Sequence, residues 1–188
     1  MTLRPALRSR MDGLDLATKS LKELFDLRVP PRQARHDAAA EVEQIGVGAA
    51  ELHVSLAVAL DSEPADGATS AELLLGPLYR LGSGRIRFDR LEGVLARLRG
   101  ADDLGRAIRT HGALHLGNMG RTTSGWIPHN FEGDGRPYDE LRQPISPLRD
   151  LARLAVSLGW AAREMTEHYL EDDPERDREL EVLAEAWE

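Results

Sequence analysis

Apolar residues recur at steps of three and four through most of this chain, and two long stripes dominate the pattern. Val42, Ile45, Ala49, Leu52, Leu56 and Ala59 would line one side of a helix that starts near Pro31 and runs to about Leu60. Leu151, Leu154, Leu158, Ala162, Met165 and Tyr169 form a second stripe. It follows Ser146-Pro147, a capping serine and a proline suited to the first helical turn. Shorter helices are predicted over 14–27, carrying Leu14, Leu16, Leu21, Leu24 and Phe25, and over Ala71–Leu81, interrupted at Gly76-Pro77. Asp89 caps a further helix with Leu91, Val94, Leu95 and Leu98. Asp102 caps the next, with Leu104, Ala107, Ile108 and His111 on one face. Asp173-Pro174 opens a short acidic helix over 174–188. From Gly117 to Ile145 neither helical nor strand periodicity holds, so 117–145 reads as a long irregular loop. Loops of that length in a compact domain are usually functional or disordered. The pattern predicts an all-α fold: a single domain over 1–188, a helical bundle with two long helices, several short helices and an irregular loop before the last long helix.

Composition supports helix over sheet, because Ala, Leu, Arg and Glu dominate while aromatic residues make up only 5%. With no cysteine, disulfides and thiolate metal sites are excluded. Residues 1–13 lack the apolar run of a signal peptide and no segment reaches membrane-spanning length, so the expectation is a cytoplasmic protein with no membrane partner. A net charge of -8 argues against indiscriminate nucleic-acid binding by the whole surface. The charge is uneven, however. Tyr79 to Arg121 holds nine Arg against four acids, and Glu164 to Glu188 holds eleven acids against two Arg. Solvated faces of opposite sign account for this; so does a local basic surface beside the histidines, with the acidic C-terminus as a contact for a protein partner.

The chemistry-bearing residues concentrate in Arg106-Ala-Ile-Arg109-Thr-His111-Gly-Ala-Leu-His115-Leu-Gly-Asn118. The stretch Arg109 to His115 resembles the Arg-then-His signature of HEPN domains, small helical bundles that usually dimerise and include many metal-independent ribonucleases. The resemblance extends to the order of motif, variable loop and long final helix. It implies RNA as substrate, a homodimer, no cofactor and no metal, with toxin or defence activity. It also implies Arg109 and His115 as the catalytic pair, aided by His111 and Asn118. Histidine can serve as acid or base near neutral pH, and an arginine fork can stabilise charge developing on phosphate. Residues six apart on a regular helix lie about 120° from one another, so the pair converges only if Gly112 ends the helix or if it acts across a dimer. Arg106, Arg121, Trp126 and His129 are the expected substrate contacts, since an aromatic with Arg and His can stack on and hydrogen-bond a base. The plainer alternatives are that His111 packs, Arg109 is solvated, and Trp126 with Phe131 pins the loop to the bundle.

Two other functions fit the same residues. One is a non-catalytic helical interaction subunit of a larger assembly. The other is a metal-dependent enzyme with a His/Glu site drawn from His53, His115, Glu164, Glu167 and His168, although Glu164 and His168 are four apart and no second such pair exists on another helix. The glycine pattern of a phosphate-binding loop is missing, and Gly82-Ser-Gly84 alone carries no information.

Overall fold

The computed structural model describes residues 11–35, 38–81, 88–131, 142–170 and 173–188. Six α-helices occur among them: α1 (Gly13–Leu27), α2 (Ala38–Ala59), α3 (Gly67–Leu81), α4 (Phe88–Arg99), α5 (Leu148–Tyr169) and α6 (Pro174–Trp187). Four short strands accompany the helices: β1 (Glu63–Pro64), β2 (Arg106–Ala107), β3 (Met119–Thr122) and β4 (Gly125–Pro128). They form two antiparallel two-stranded sheets, β1 with β2 and β3 with β4.

Local chemistry explains where the helices start. Asp12 caps α1 in a reciprocal box, its carboxylate accepting from the Asp15 amide at 2.9 Å while its own amide donates to Asp15. Asp173 caps α6 by accepting from the Glu175 and Arg176 amides, with Pro174 at the first position. Ser146 receives the Leu148 amide at the entrance to α5. The break at Pro30-Pro31 holds a single 3-10 turn, Pro31–Gln33, ahead of α2.

The chain divides into two compact units. The first comprises 1–52, 113–134 and 150–188. Its core joins Leu16, Leu21, Leu24 and Phe25 of α1 to Ile45 and Ala49 of α2, Leu114, Leu116, Met119, Trp126, Leu154 of α5 and Leu180 of α6. The second comprises 53–112 and 135–149. There α3 and α4 pack through Ala71, Leu75 and Leu95, β1 pairs with β2, and Ile108 bridges to Ile145.

The all-α expectation is corrected by the sheets. The helix expected after Asp102 does not form. The Asp103 carboxylate instead accepts the Gly105 amide at 2.7 Å in a tight turn, and the chain leaves it extended as β2. The expected irregular loop 117–145 contains the β3–β4 hairpin, closed by a two-residue turn at Thr123-Ser124. Thr122 anchors this turn: its hydroxyl donates to the Gly125 carbonyl and accepts from the Ser124 amide. Residues 132–141 of that loop lie outside the described residues. Both long stripes form helices, but the buried face of α5 is rotated from the expected one. Leu151 is exposed, whereas Asp150, Leu154, Ala161, Ala162 and Thr166 are buried. On α2, Ile45 and Ala49 are buried, Leu52 and Leu56 are half-buried, and Ala59 is exposed. Among the described residues no helix is long and apolar enough to cross a membrane.

Candidate functional site

In the first unit, the segment that follows Ala113 is built around one buried amide. Ala113 and Leu114 are buried, His115 is extended, and Leu116–Asn118 makes a single 3-10 turn before β3 begins. Asn118, itself buried, donates from Nδ2 to the Ala113 carbonyl at 2.9 Å and so closes the turn on itself. The hairpin then returns beside that turn. The His129 amide donates to the Asn118 carbonyl at 2.9 Å, and Asn130 Nδ2 donates to Asn118 Oδ1 at 3.0 Å. Asn130 holds a left-handed conformation, φ 60, which asparagine tolerates better than most residues. Both ends of the Asn118 side chain are therefore engaged.

Neighbouring elements frame this turn. The Leu116 amide donates to Ser157 Oγ of α5 at 3.1 Å, which brings α5 against the turn. Arg153 lies one helical turn before Ser157, on the same side of α5. Asp12, at the start of α1, bridges to Gly120 of β3. The imidazole of His115 consequently feels several charges. His115 is exposed overall, but the partial burial of its ring lowers its pKa below the ordinary histidine value; Arg153 and His129 push the same way, and Asp12 opposes them. On the other side of the hairpin, Trp126 Nε1 donates to Glu41 of α2 at 2.8 Å, and Arg121 pairs with the same carboxylate while lying over the Trp126 ring. Trp126 thus pins the hairpin to α2.

The expected site residues separate into two sets. Arg106, Arg109 and His111 belong to the second unit; His115, Asn118, Arg121, Trp126 and His129 belong to the first. Arg106 sits on β2 and donates to the Ser62 hydroxyl at 2.9 Å. Arg109 is half-buried and His111 is buried, and neither lies on a helix. The proposed Arg109–His115 pair therefore does not end a helix. Gly112, with φ 82, divides the stretch at a conformation that suits glycine. Among the described residues no group of three His, Cys, Asp or Glu side chains is placed to hold a metal ion. His53 is buried, while Glu164, Glu167 and His168 are exposed. Sequence reasoning gave Ala113 no role and did not foresee that Asn130 would return to Asn118. The signal available was spacing: His111-x-Ala113-Leu114-x-x-x-Asn118, then Asn130-Phe131 after a hairpin-sized gap.

No protein-family model matches the chain. Among solved structures it is similar to a glucosamine kinase in complex with glucosamine, ADP and inorganic phosphate. The TM-score is 0.68 at 21% identity, over 97% of this chain and 45% of that one. Glucosamine kinase in crystal form B gives 0.65 at 20% identity, over 97% and 47%. Crystal form A gives 0.63 at 20% identity, over 94% and 46%. The chain spans a little under half the length of the structures it matches. A likeness at this identity is one of fold. It replaces the plain helical bundle with part of a kinase fold, and it overturns the ribonuclease, nuclease-toxin and defence reading together with the interaction-subunit and metal-enzyme alternatives.

Proposed function

We propose that this chain is a kinase-fold protein that keeps the frame of a phosphotransfer loop but does not itself transfer phosphate. The observation that carries this reading is the placement of Ala113 and Asn130 around Asn118. In protein kinases the catalytic loop reads His-Arg-Asp-Leu-x-x-x-Asn. Its Asp accepts the proton of the attacking hydroxyl, its Asn holds one magnesium ion, and the Asp of a later Asp-Phe-Gly holds magnesium as well. The stretch from His111 to Asn118 has that spacing, with the Asp position held by Ala113, and Asn130-Phe131 stands where Asp-Phe would.

The two replacements remove different parts of the chemistry. The methyl group of Ala113 is buried and has no lone pair to take a proton. Asn130 is neutral where magnesium would meet a carboxylate, and magnesium in phosphate sites is held through one or two carboxylates. The Asn118 oxygen that would complete such a site accepts from Asn130 Nδ2 at 3.0 Å. A metal ion and this hydrogen bond compete for the same atom. The residues present do not fit magnesium, and no step is assigned to it. What remains is a kinase-like scaffold for binding. Amino sugars and nucleotides are the ligands to try, by analogy with the glucosamine, ADP and phosphate held by a structure of similar fold.

A phosphate-transfer assay with ATP, magnesium and glucosamine tests this reading. The unaltered chain should release no ADP above the enzyme-free rate. Ala113→Asp combined with Asn130→Asp should gain magnesium binding by calorimetry. Sugar-dependent ADP release by the unaltered chain at kinase-like rates, about 1–100 per second, would refute the proposal.

A further inference from the structure

We infer that the outer face of α5 is a docking surface for a second copy of this chain, the two α5 helices packing antiparallel about a two-fold axis level with Leu158. From Asp150 onward α5 belongs to the first unit. Its inner side is occupied: Leu154, Ala161, Ala162 and Thr166 are buried. The opposite side is apolar as well. Ala152, Val156 and Trp160 follow one another at four-residue steps, which stacks them on one face. All three are exposed, Val156 at 72% and Trp160 at 52%. A helix face that meets only water carries polar residues. Apolar residues exposed singly need no explanation, but a continuous strip that ends in tryptophan has the composition of an interface centre.

The charges bordering the strip select its occupant. Arg153 stands beside its first half, and Glu164 and Glu167 beside its second. Arg153 and Glu164 are eleven residues apart, about three full turns, so they share one flank. In a parallel pair of copies each charge would meet its own kind. In an antiparallel pair Arg153 of one copy meets Glu164 of the other, and the two-fold axis makes that contact twice. Arg153 is half-buried and Glu164 is exposed. A guanidinium has five donors, so this contact adds to those Arg153 makes within its own chain. The same register lays Trp160 of each copy over Val156 of the other, and the small Ala152 and Gly159 on either side leave room for the indole. Arg163 lies on the other flank and comes over Ala152, away from Arg153. One helix face buries less than the roughly 1,200 Å² at which stable interfaces begin, so the dimer is a reversible, concentration-dependent one.

Sedimentation equilibrium at low ionic strength, from low micromolar to several hundred micromolar protein, is the test. The mass should rise from 20.8 kDa toward twice that value. Val156→Lys should stay monomeric throughout with an unchanged thermal melt, because the side chain it replaces is exposed. Arg153→Glu should weaken association at least about tenfold, and Arg153→Glu combined with Glu164→Arg should restore it. The chain has no cysteine, so Val156→Cys carries a single thiol. A short bismaleimide should link it to its counterpart in the second copy, whereas Glu175→Cys, at the start of α6 and beyond the far end of α5, should not be linked. A monomer mass at the highest concentration would overturn the dimer and leave the face to a different polypeptide. Association unchanged by Val156→Lys, or a charge exchange that restores nothing, would overturn this face or this orientation. None of these outcomes depends on phosphate transfer or on the turn at Asn118.

Discussion

His115 links protonation to stability. Because its pKa is lowered in the fold, the unfolded chain takes up the proton first as pH falls. Stability should be at its full value above the ordinary histidine pKa of about 6.5, decline as pH drops through it, and level off below the lowered folded value. Melting curves across that interval should show the decline, and His115→Asn should flatten the part due to this residue. The exposed ring makes the effect small. Asn118 has the opposite character, a buried amide with both ends paired. Asn118→Ala would leave the Ala113 carbonyl without its side-chain partner and the Asn130 amide without an acceptor. A loss of about 1–3 kcal/mol in denaturant unfolding is expected. A loss below a few tenths would mean that the turn does not depend on this side chain.

At the scale of elements, α2 carries two glycines that the apolar pattern treats alike and the packing does not. A methyl group at Gly46 would meet nothing within 4 Å, whereas one at Gly48 would run into the Trp126 carbonyl oxygen of β4. Gly46→Ala should therefore stabilise the protein by about 0.5–1 kcal/mol, as expected for a glycine removed from a helix interior. Gly48→Ala should destabilise it by about 1–3 kcal/mol, because the hairpin backbone must move. Equal melting temperatures for the two variants would contradict the close approach of β4 to α2. The same hairpin sets the site, since its return strand brings His129 and Asn130 to the turn at Asn118.

At the scale of the molecule, the prediction is a division between fold and activity. A chain similar in fold to glucosamine kinases along 94–97% of its length should still show no ATP-dependent phosphorylation of glucosamine while Ala113 and Asn130 stand in place. Magnesium should not raise its melting temperature, since stabilisation by a ligand requires binding to the folded state. Ala113→Asp with Asn130→Asp should introduce that magnesium-dependent rise. A rise already present in the unaltered chain would show that other residues hold the ion.

Local signals sufficed wherever a helix is specified by its own period and caps. The Ser146 and Asp173 starts, the stripe of α1 and the existence of α5 are legible because 3.6-residue periodicity and capping act within a few residues, whereas the face that α5 buries is not. The Arg106–Asn118 segment stood out in the sequence through its density of Arg, His and Asn. Its conformation was not legible there. Strand pairing of Arg106-Ala107 with Glu63-Pro64 and the return of Asn130 to Asn118 depend on partners 12 to 44 residues away, while the turn at Asp103–Gly105 that starts the strand is local. A period-based reading weighs only neighbours, so it extended a helix through a segment whose backbone hydrogen bonds lie elsewhere. The HEPN resemblance pointed to Arg109 and His115 as a reactive pair. Tertiary structure assigned them to separate units and joined Ala113, Asn118 and Asn130 by hydrogen bonds, because two amides and a carbonyl apart in sequence satisfy one another only in the folded chain.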